Sequence, residues 1–178
     1  MTIFVSGGCK NGKSSLAEDW IGALAEPGRL YYLATMIPHD EEDLVRIRRH
    51  VASRAGKGFQ TIECTVSAAE PALHADPHGS FLLDSVTALL SNAMFPPEGY
   101  NPDAGLQVAE DLCRLAREAK NAVFVSDFIY SDFGPYDPYT EAYRRALADC
   151  DRALAAACDT VVEVSLANPL IYKGVLPV

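Results

Sequence analysis

Residues 6–15 read SGGCKNGKSS. The stretch fits G-x-x-x-x-G-K-[ST], with Gly7, Gly12, Lys13 and Ser14 at the fixed places. It follows a short apolar run, TIFV, and precedes SLAEDWIGALA, which reads as a helix. Strand before and helix after is the context that a phosphate-binding loop requires. Glycines let backbone N–H groups close around phosphate oxygens, and the helix N-terminus adds positive partial charge. Gly7, Gly8, Cys9, Lys10, Asn11, Gly12, Lys13, Ser14 and Ser15 are therefore the candidate nucleotide-binding residues. Lys13 is expected to reach the β- and γ-phosphates, and Ser14 to ligate Mg²⁺.

Working outward from the loop, strand-like runs fall at 2–6, 30–34, 59–63, 80–84, 121–126 and 160–165. Several are continuously apolar, as strands buried on both faces should be. Helix-like segments lie between them at 14–25, 40–54, 67–75, 85–94, 103–119 and 138–157. Leu44, Ile47 and Val51 read as the core-facing stripe of the second, and Leu106, Ala109, Leu112 and Ala116 as that of the fifth. The alternation predicts a mainly parallel α/β sheet with right-handed crossovers. The prolines and glycine of FPPEGYNPD, 95–103, mark a loop, and the aromatic-rich FIYSDFGPYDPY, 128–139, marks another. Neither reads as a domain linker, so residues 1–178 are expected to form one domain.

The bulk numbers narrow the function. The chain has 178 residues, 49% of them apolar, and a net charge of −9. An acidic balance excludes a nucleic-acid footprint, which would be basic. Any bound phosphate must be held by local groups. Five cysteines with no CxxC suggest neither a disulfide framework nor a zinc site. They read as small buried apolar residues. No apolar run approaches the roughly 20 residues that span a bilayer, and the start of the chain lacks the features of a signal peptide. The expected location is the cytoplasm.

A phosphate loop needs an acid at the end of another core strand to hold Mg²⁺ or its water. Asp84, closing FLLD, is the first candidate and Asp127, after VFVS, the second. Each also suits a helix N-cap. The other informative stretch is DEEDLVRIRRHVASR, 40–54. With the apolar stripe facing the core, Arg46, Arg49, His50 and Ser53 share the opposite face. A neutral imidazole is a nucleophile, and arginines beside it hold phosphate oxygens. That suits a phosphoryl- or nucleotidyl-histidine intermediate, although a solvated basic face has the same pattern. His39, His74 and His78 read as surface residues.

These stretches together resemble a known family. FVSGGCKNGKSS, YYLAT, the DEE…RIRRH helix, FLLDSVTALLSNAMF and RALAAACDTVVEVSLANPLIYKG are similar to the bifunctional adenosylcobinamide kinase / adenosylcobinamide-phosphate guanylyltransferases of cobalamin biosynthesis. The resemblance runs over nearly the whole chain. It implies a RecA-like P-loop NTPase fold, a trimer, and Mg²⁺ with GTP or ATP as substrates. It implies phosphorylation of the aminopropanol hydroxyl of adenosylcobinamide. Transfer of GMP to the resulting phosphate, through a guanylyl-histidine, then follows. The family's R-I-x-x-H histidine falls on His50. Its strand-end carboxylate, more often Glu, falls on Asp84. On this reading His50, Lys13 and Asp84 are catalytic, Arg46 and Arg49 join the loop in holding nucleotide, and Ser14 and Asp84 hold the metal.

The chain also departs from the family. Where the family carries N-E-V-G and then G-x-V-P, this chain has Asp127-Phe128-Ile129-Tyr130 and Ser131-Asp132-Phe133-Gly134-Pro135. Phe128 replaces the family's glutamate, and the C-terminal G-I-P turn becomes Ala167-Asn168-Pro169. Two alternatives therefore stand beside the leading reading: a small-molecule kinase without nucleotidyl transfer, and a nucleotide-binding relative without turnover.

Overall fold

The computed structural model describes residues 1–38, 40–130 and 134–177, with Arg46 described by its backbone alone. Strands β1 (Thr2–Gly7), β2 (Leu30–Ala34), β3 (Gln60–Glu63), β4 (Ser80–Asp84), β5 (Asn121–Asp127), β6 (Thr160–Ser165) and β7 (Asn168–Lys173) form one sheet. Helices α1 (Lys13–Leu24), α2 (Glu41–Arg54), α3 (Ala69–Ala75), α4 (Val86–Met94), α5 (Ala104–Glu118) and α6 (Pro138–Ala157) connect them. The strand order is β3-β2-β4-β5-β1-β6-β7, and every pairing is parallel except β6 with β7. This is the α/β, mostly parallel P-loop fold. It is RecA-like in that β5 separates the loop strand β1 from β4, which ends on Asp84.

The central strands are apolar on both faces because each face has its own helix layer. Side chains alternate across the sheet. Ile3, Val5, Leu82, Val123 and Val125 therefore pack with Ala17, Trp20 and Ile21 of α1 on one face. Phe4, Phe81, Leu83 and Phe124 meet Leu89, Leu112, Leu115, Leu147 and Leu154 of α4–α6 on the other. Fully burying each such side chain stabilises by roughly 1.5–3 kcal/mol.

Three expectations change. First, of the apolar stripe of α2 only Ile47 turns inward. Leu44 is 36% exposed and Val51 56%. The inward side carries Asp43, Ile47, His50 and Arg54 instead, and Arg54 is the one buried side chain among those described in the helix. Arg49 and Ser53 are exposed, whereas His50 is half-buried. The helix's most buried anchor is a guanidinium, which apolar periodicity cannot reveal. Second, Leu106 of α5 is 69% exposed, while Val108 and Leu115 join Leu112 and Ala116 in the core. Third, residues 168–173 form a strand, where the sequence suggested only a turn at 167–169. Its side chains are all exposed and it starts Asn-Pro, so it lacks the buried-strand pattern. As the edge strand it tolerates Pro169. Leu166 and Ala167 take positive φ of 50° and 60° in the connecting turn, the backbone twist that two-residue hairpins favour.

Cys64, Cys150 and Cys158 are buried, Cys113 is partly exposed and Cys9 is exposed. Burial pushes the Cys150 and Cys158 thiols up to about 12. His74 and His78 are exposed. His39 and residues 131–133 of the aromatic-rich loop lie outside the described residues. Among those described, no helix is long and apolar enough to cross a membrane.

Candidate active site

The loop Gly8–Gly12 leaves β1 at its C-terminal end and turns at once into α1. Gly12, at φ 92°, occupies the N-cap position, a left-handed conformation that glycine adopts without steric cost. Gly12 has no side chain with which to cap the helix. Beyond Lys13 N, which the Asn11 side chain meets, the N–H groups of the first turn face the loop, as an anion site requires. Gly7 has a different reason to be glycine. A Cβ there would run into the Val164 carbonyl oxygen and the Asn11 amide. Asn11 ties the loop to the neighbouring hairpin. Its Nδ2 donates to Val164 O, its Oδ1 accepts from Lys13 N at 3.2 Å, and its carbonyl accepts from Ala167 N at 2.9 Å. A cavity of about 210 Å³ is lined by Lys10 through Ser15.

Lys13 is 6% exposed. Its Nζ pairs with Asp127 Oδ1 at 2.6 Å and donates to Gly8 O at 3.2 Å. The register of β1 on β5 sets Gly7 opposite Asp127, and Phe128 N donates to Gly7 O at 2.9 Å. The acid next to the loop is therefore Asp127. Asp84 lies one strand further, opposite Val125. Burial raises the Asp84 carboxyl pKa, while the Ser14 hydroxyl and the charges of His50 and Lys13 oppose that rise. Ser14, Lys13, His50 and Asp84 thus converge at the C-terminal end of β1 and β4. The side chain of Arg46 lies outside the described residues, and Arg49 points to solvent.

Several groups behind this constellation carry no motif. Thr35, fully buried at the end of β2, donates through Oγ1 to Ser85 O at 3.0 Å and accepts from Ser85 N at 2.9 Å. Asn92 donates to Thr35 O at 2.7 Å and to Thr65 O at 2.9 Å. Thr87 accepts from Asp127 N at 3.0 Å. Together they fix the turns that follow Asp84 and Asp127. Tyr32 donates to Asp84 O at 3.3 Å, and the Arg54 guanidinium stacks over its ring at 3.3 Å from the centroid. Arg54 thereby links α2, and with it His50, to the strand end that carries Asp84. Tyr32 and Thr35 lie in YYLAT, and Thr87 and Asn92 in FLLDSVTALLSNAMF, stretches that the resemblance covers, but the sequence assigned none of them a role.

Among the described residues no group of three or more His, Cys, Asp or Glu is placed to hold a metal. With Asp127 held by Lys13, the donors that remain are the Ser14 hydroxyl and the Asp84 carboxyl, beside a cavity for phosphate. That set fits Mg²⁺, which keeps several waters and takes one or two protein ligands plus substrate phosphates.

A glycine-rich loop that opens a helix, a buried lysine within it, and an acid at the end of the next strand but one define a P-loop nucleotide-binding protein. More particularly, the chain belongs to the cobinamide kinase / cobinamide phosphate guanyltransferase family, whose pattern matches residues 3–170. It is 27% identical over 179 aligned positions to the bifunctional adenosylcobalamin biosynthesis protein CobU of Salmonella typhimurium, covering 90% of this chain and 93% of that one. It is 35% identical over 97 positions to the Escherichia coli protein of the same name, covering 53% of this chain and 51% of that one. Among solved structures it is similar to an ATPase from the type III secretion system of pathogenic bacteria, at 15% identity and a TM-score of 0.48. That alignment covers 92% of this chain and 51% of the ATPase chain.

Proposed function

We propose that this chain phosphorylates adenosylcobinamide and then transfers GMP from GTP to the product through a guanylyl-histidine at His50, as a cytoplasmic homotrimer. The observation that carries the reading is the turn of α2. It supports the reading because His50 lies on the half-buried side of α2, close enough to act on the Asp84 carboxyl.

In the kinase step, Lys13 exchanges Asp127 for the β- and γ-phosphates. The acceptor hydroxyl oxygen bonds to Pγ as the Pγ–O–Pβ bridge breaks, and nucleoside diphosphate leaves. Asp127, released from Lys13, takes the hydroxyl proton. Catalysis here is mostly positioning and charge. In the second step an imidazole nitrogen of His50 bonds to Pα of GTP and the Pα–O–Pβ bridge breaks, releasing pyrophosphate. A phosphate oxygen of the acceptor then attacks Pα and frees His50. Two steps with an oriented nucleophile replace one difficult one. Mg²⁺ held by Ser14 and Asp84 would screen the phosphate charge in both.

The test is labelling. Protein incubated with Mg²⁺ and GTP labelled at the α-phosphate is denatured and assayed for bound label. Acid-labile label on the wild type, absent from His50→Ala, is the expected result. Folded, GTP-binding wild type without label would sink the transferase half. It would favour one of the two alternatives, a kinase without nucleotidyl transfer or a relative without turnover, and the altered 127–135 loop would be its mark.

A further inference from the structure

On the sheet face opposite α1, a second cavity of about 530 Å³ lies between α6, β1 and the segment after β5. Its walls include Phe4, Phe128, Tyr130, Ala148 and Ala155, and its polar groups include Ser6 and Asp151. It abuts the phosphate loop. Ser6 precedes Gly7, and Phe128, on the cavity wall, donates its N–H to Gly7 O.

The inner end of this cavity is chemically specific. Asp151 is 8% exposed. Its Oδ2 accepts from the Tyr130 hydroxyl at 2.9 Å, and its Oδ1 has no hydrogen-bond partner in the protein. Ser126, fully buried and next to Ser6 across the β1–β5 ladder, is near enough to favour the carboxylate but makes no well-formed bond. Leaving such an acceptor buried and unmet is costly. The arginines at the rim are already engaged with acids: Arg144 and Arg145 with Glu141, and Arg152 with Asp149. An anion would meet the Asp151 carboxylate and no uncommitted buried cation. A purely apolar guest would leave Oδ1 unmet. A neutral group with both a donor and an acceptor fits: its N–H meets Asp151 Oδ1, and its carbonyl accepts from a serine hydroxyl. Mostly apolar walls with few convergent polar groups describe small-molecule sites in general.

We infer that this cavity is the acceptor site, and that it takes a carboxamide arm of the corrinoid through the free Asp151 oxygen, the ring resting on Phe128 and Tyr130. The inference rests on the cobinamide reading above. The nucleotide lies on the other side of the loop, so the two substrates meet across residues 6–8 and 127–128. Asp151 is a binding residue and takes no part in the proton transfer.

The experiment is a titration of the full chain with cobinamide, followed by its visible absorbance. GTP binding and Tm are measured on the same samples. Ala148→Trp fills the cavity from a half-exposed helix position, and Asp151→Leu removes the acceptor. Each is expected to weaken cobinamide binding at least tenfold, with GTP affinity within twofold of wild type. Asp151→Asn, which keeps an acceptor oxygen, stays within about threefold. Cobinamide whose amides are hydrolysed to carboxylates binds the wild type at least tenfold more weakly. Wild-type affinity in both Ala148→Trp and Asp151→Leu overturns this inference alone. A wild type that binds GTP but no cobinamide overturns the acceptor reading as well.

Discussion

The phosphate loop and helix α2 both bring groups to the C-terminal end of the sheet, and the protein holds them in opposite ways. The loop is fixed on several sides. Asn11 ties it to the β6–β7 hairpin, Asp127 holds Lys13, Phe128 holds Gly7, and α1 behind it packs on the central strands through Trp20 and Ile21. Helix α2 has a good N-cap, where Asp40 accepts from Asp43 N at 2.8 Å, and an acidic first turn. Both favour the helix itself. Among its described residues the buried anchor is Arg54 over Tyr32, a desolvated cation–π contact worth about 2 kcal/mol, while Leu44, Val45 and Val51 face outward. A loop that must cradle phosphate gains from rigidity. On the proposed function, a histidine that attacks phosphorus and then hands its burden to a second substrate gains from a looser carrier.

The contrast can be broken at the loop first. Lys13→Ala removes a preorganised charge from the transferring phosphoryl group. Phosphoryl transfer to cobinamide, followed by nucleoside diphosphate release, should fall about 100- to 1,000-fold. An intact rate would mean that the Asp127 pair is purely structural. Gly7→Ala comes next. Its methyl meets backbone at Val164, so overpacking should cost about 3 kcal/mol. Tm should drop by roughly 6–12 °C for a chain of this length. An unchanged Tm would show that the loop is less fixed than its contacts suggest.

Helix α2 should respond the other way. Arg54→Ala releases the helix while leaving the nucleotide cavity alone. The rate of His50 labelling should fall about tenfold, with GTP affinity within twofold. If labelling and affinity drop together, the two regions are not held independently. The smallest effect is expected at the outer face of the helix. Val51→Asp, at an exposed site, should change the stability of the isolated chain by less than about 0.5 kcal/mol in denaturant unfolding. A larger loss would mean that the exposed stripe is covered, and comparing the oligomeric states of the two proteins would show whether another copy covers it.

The two regions were also unequally legible. The loop was readable because its demands are local: glycine where the backbone turns left-handed or meets a carbonyl, lysine and serine at the helix start. The register of β1 on β5 then made Asp127, the second choice, the closer partner of Lys13. The assignment of α2 as a helix was equally readable, but its rotation was not. Apolar periodicity assumes that a helix faces the core with its hydrophobic side, and this one faces it with His50 and Arg54. Strand β7 escaped for a related reason, since an exposed edge strand opening with proline has no buried face to leave a pattern.

Sequence by itself determined the parallel α/β architecture, the identity of the phosphate loop and the shortlist of acids and histidine. Those follow from residue types at short spacings and from strands buried on both sides. Tertiary structure alone decided which acid pairs with Lys13, which way His50 faces, and that Thr35, Asn92 and Thr87 fix the turns beside Asp84 and Asp127. It also gave Asp151 an unmet oxygen in a cavity beside the loop. Each of these depends on contacts between residues tens of positions apart, set by strand order and register, and no local pattern in the chain encodes them.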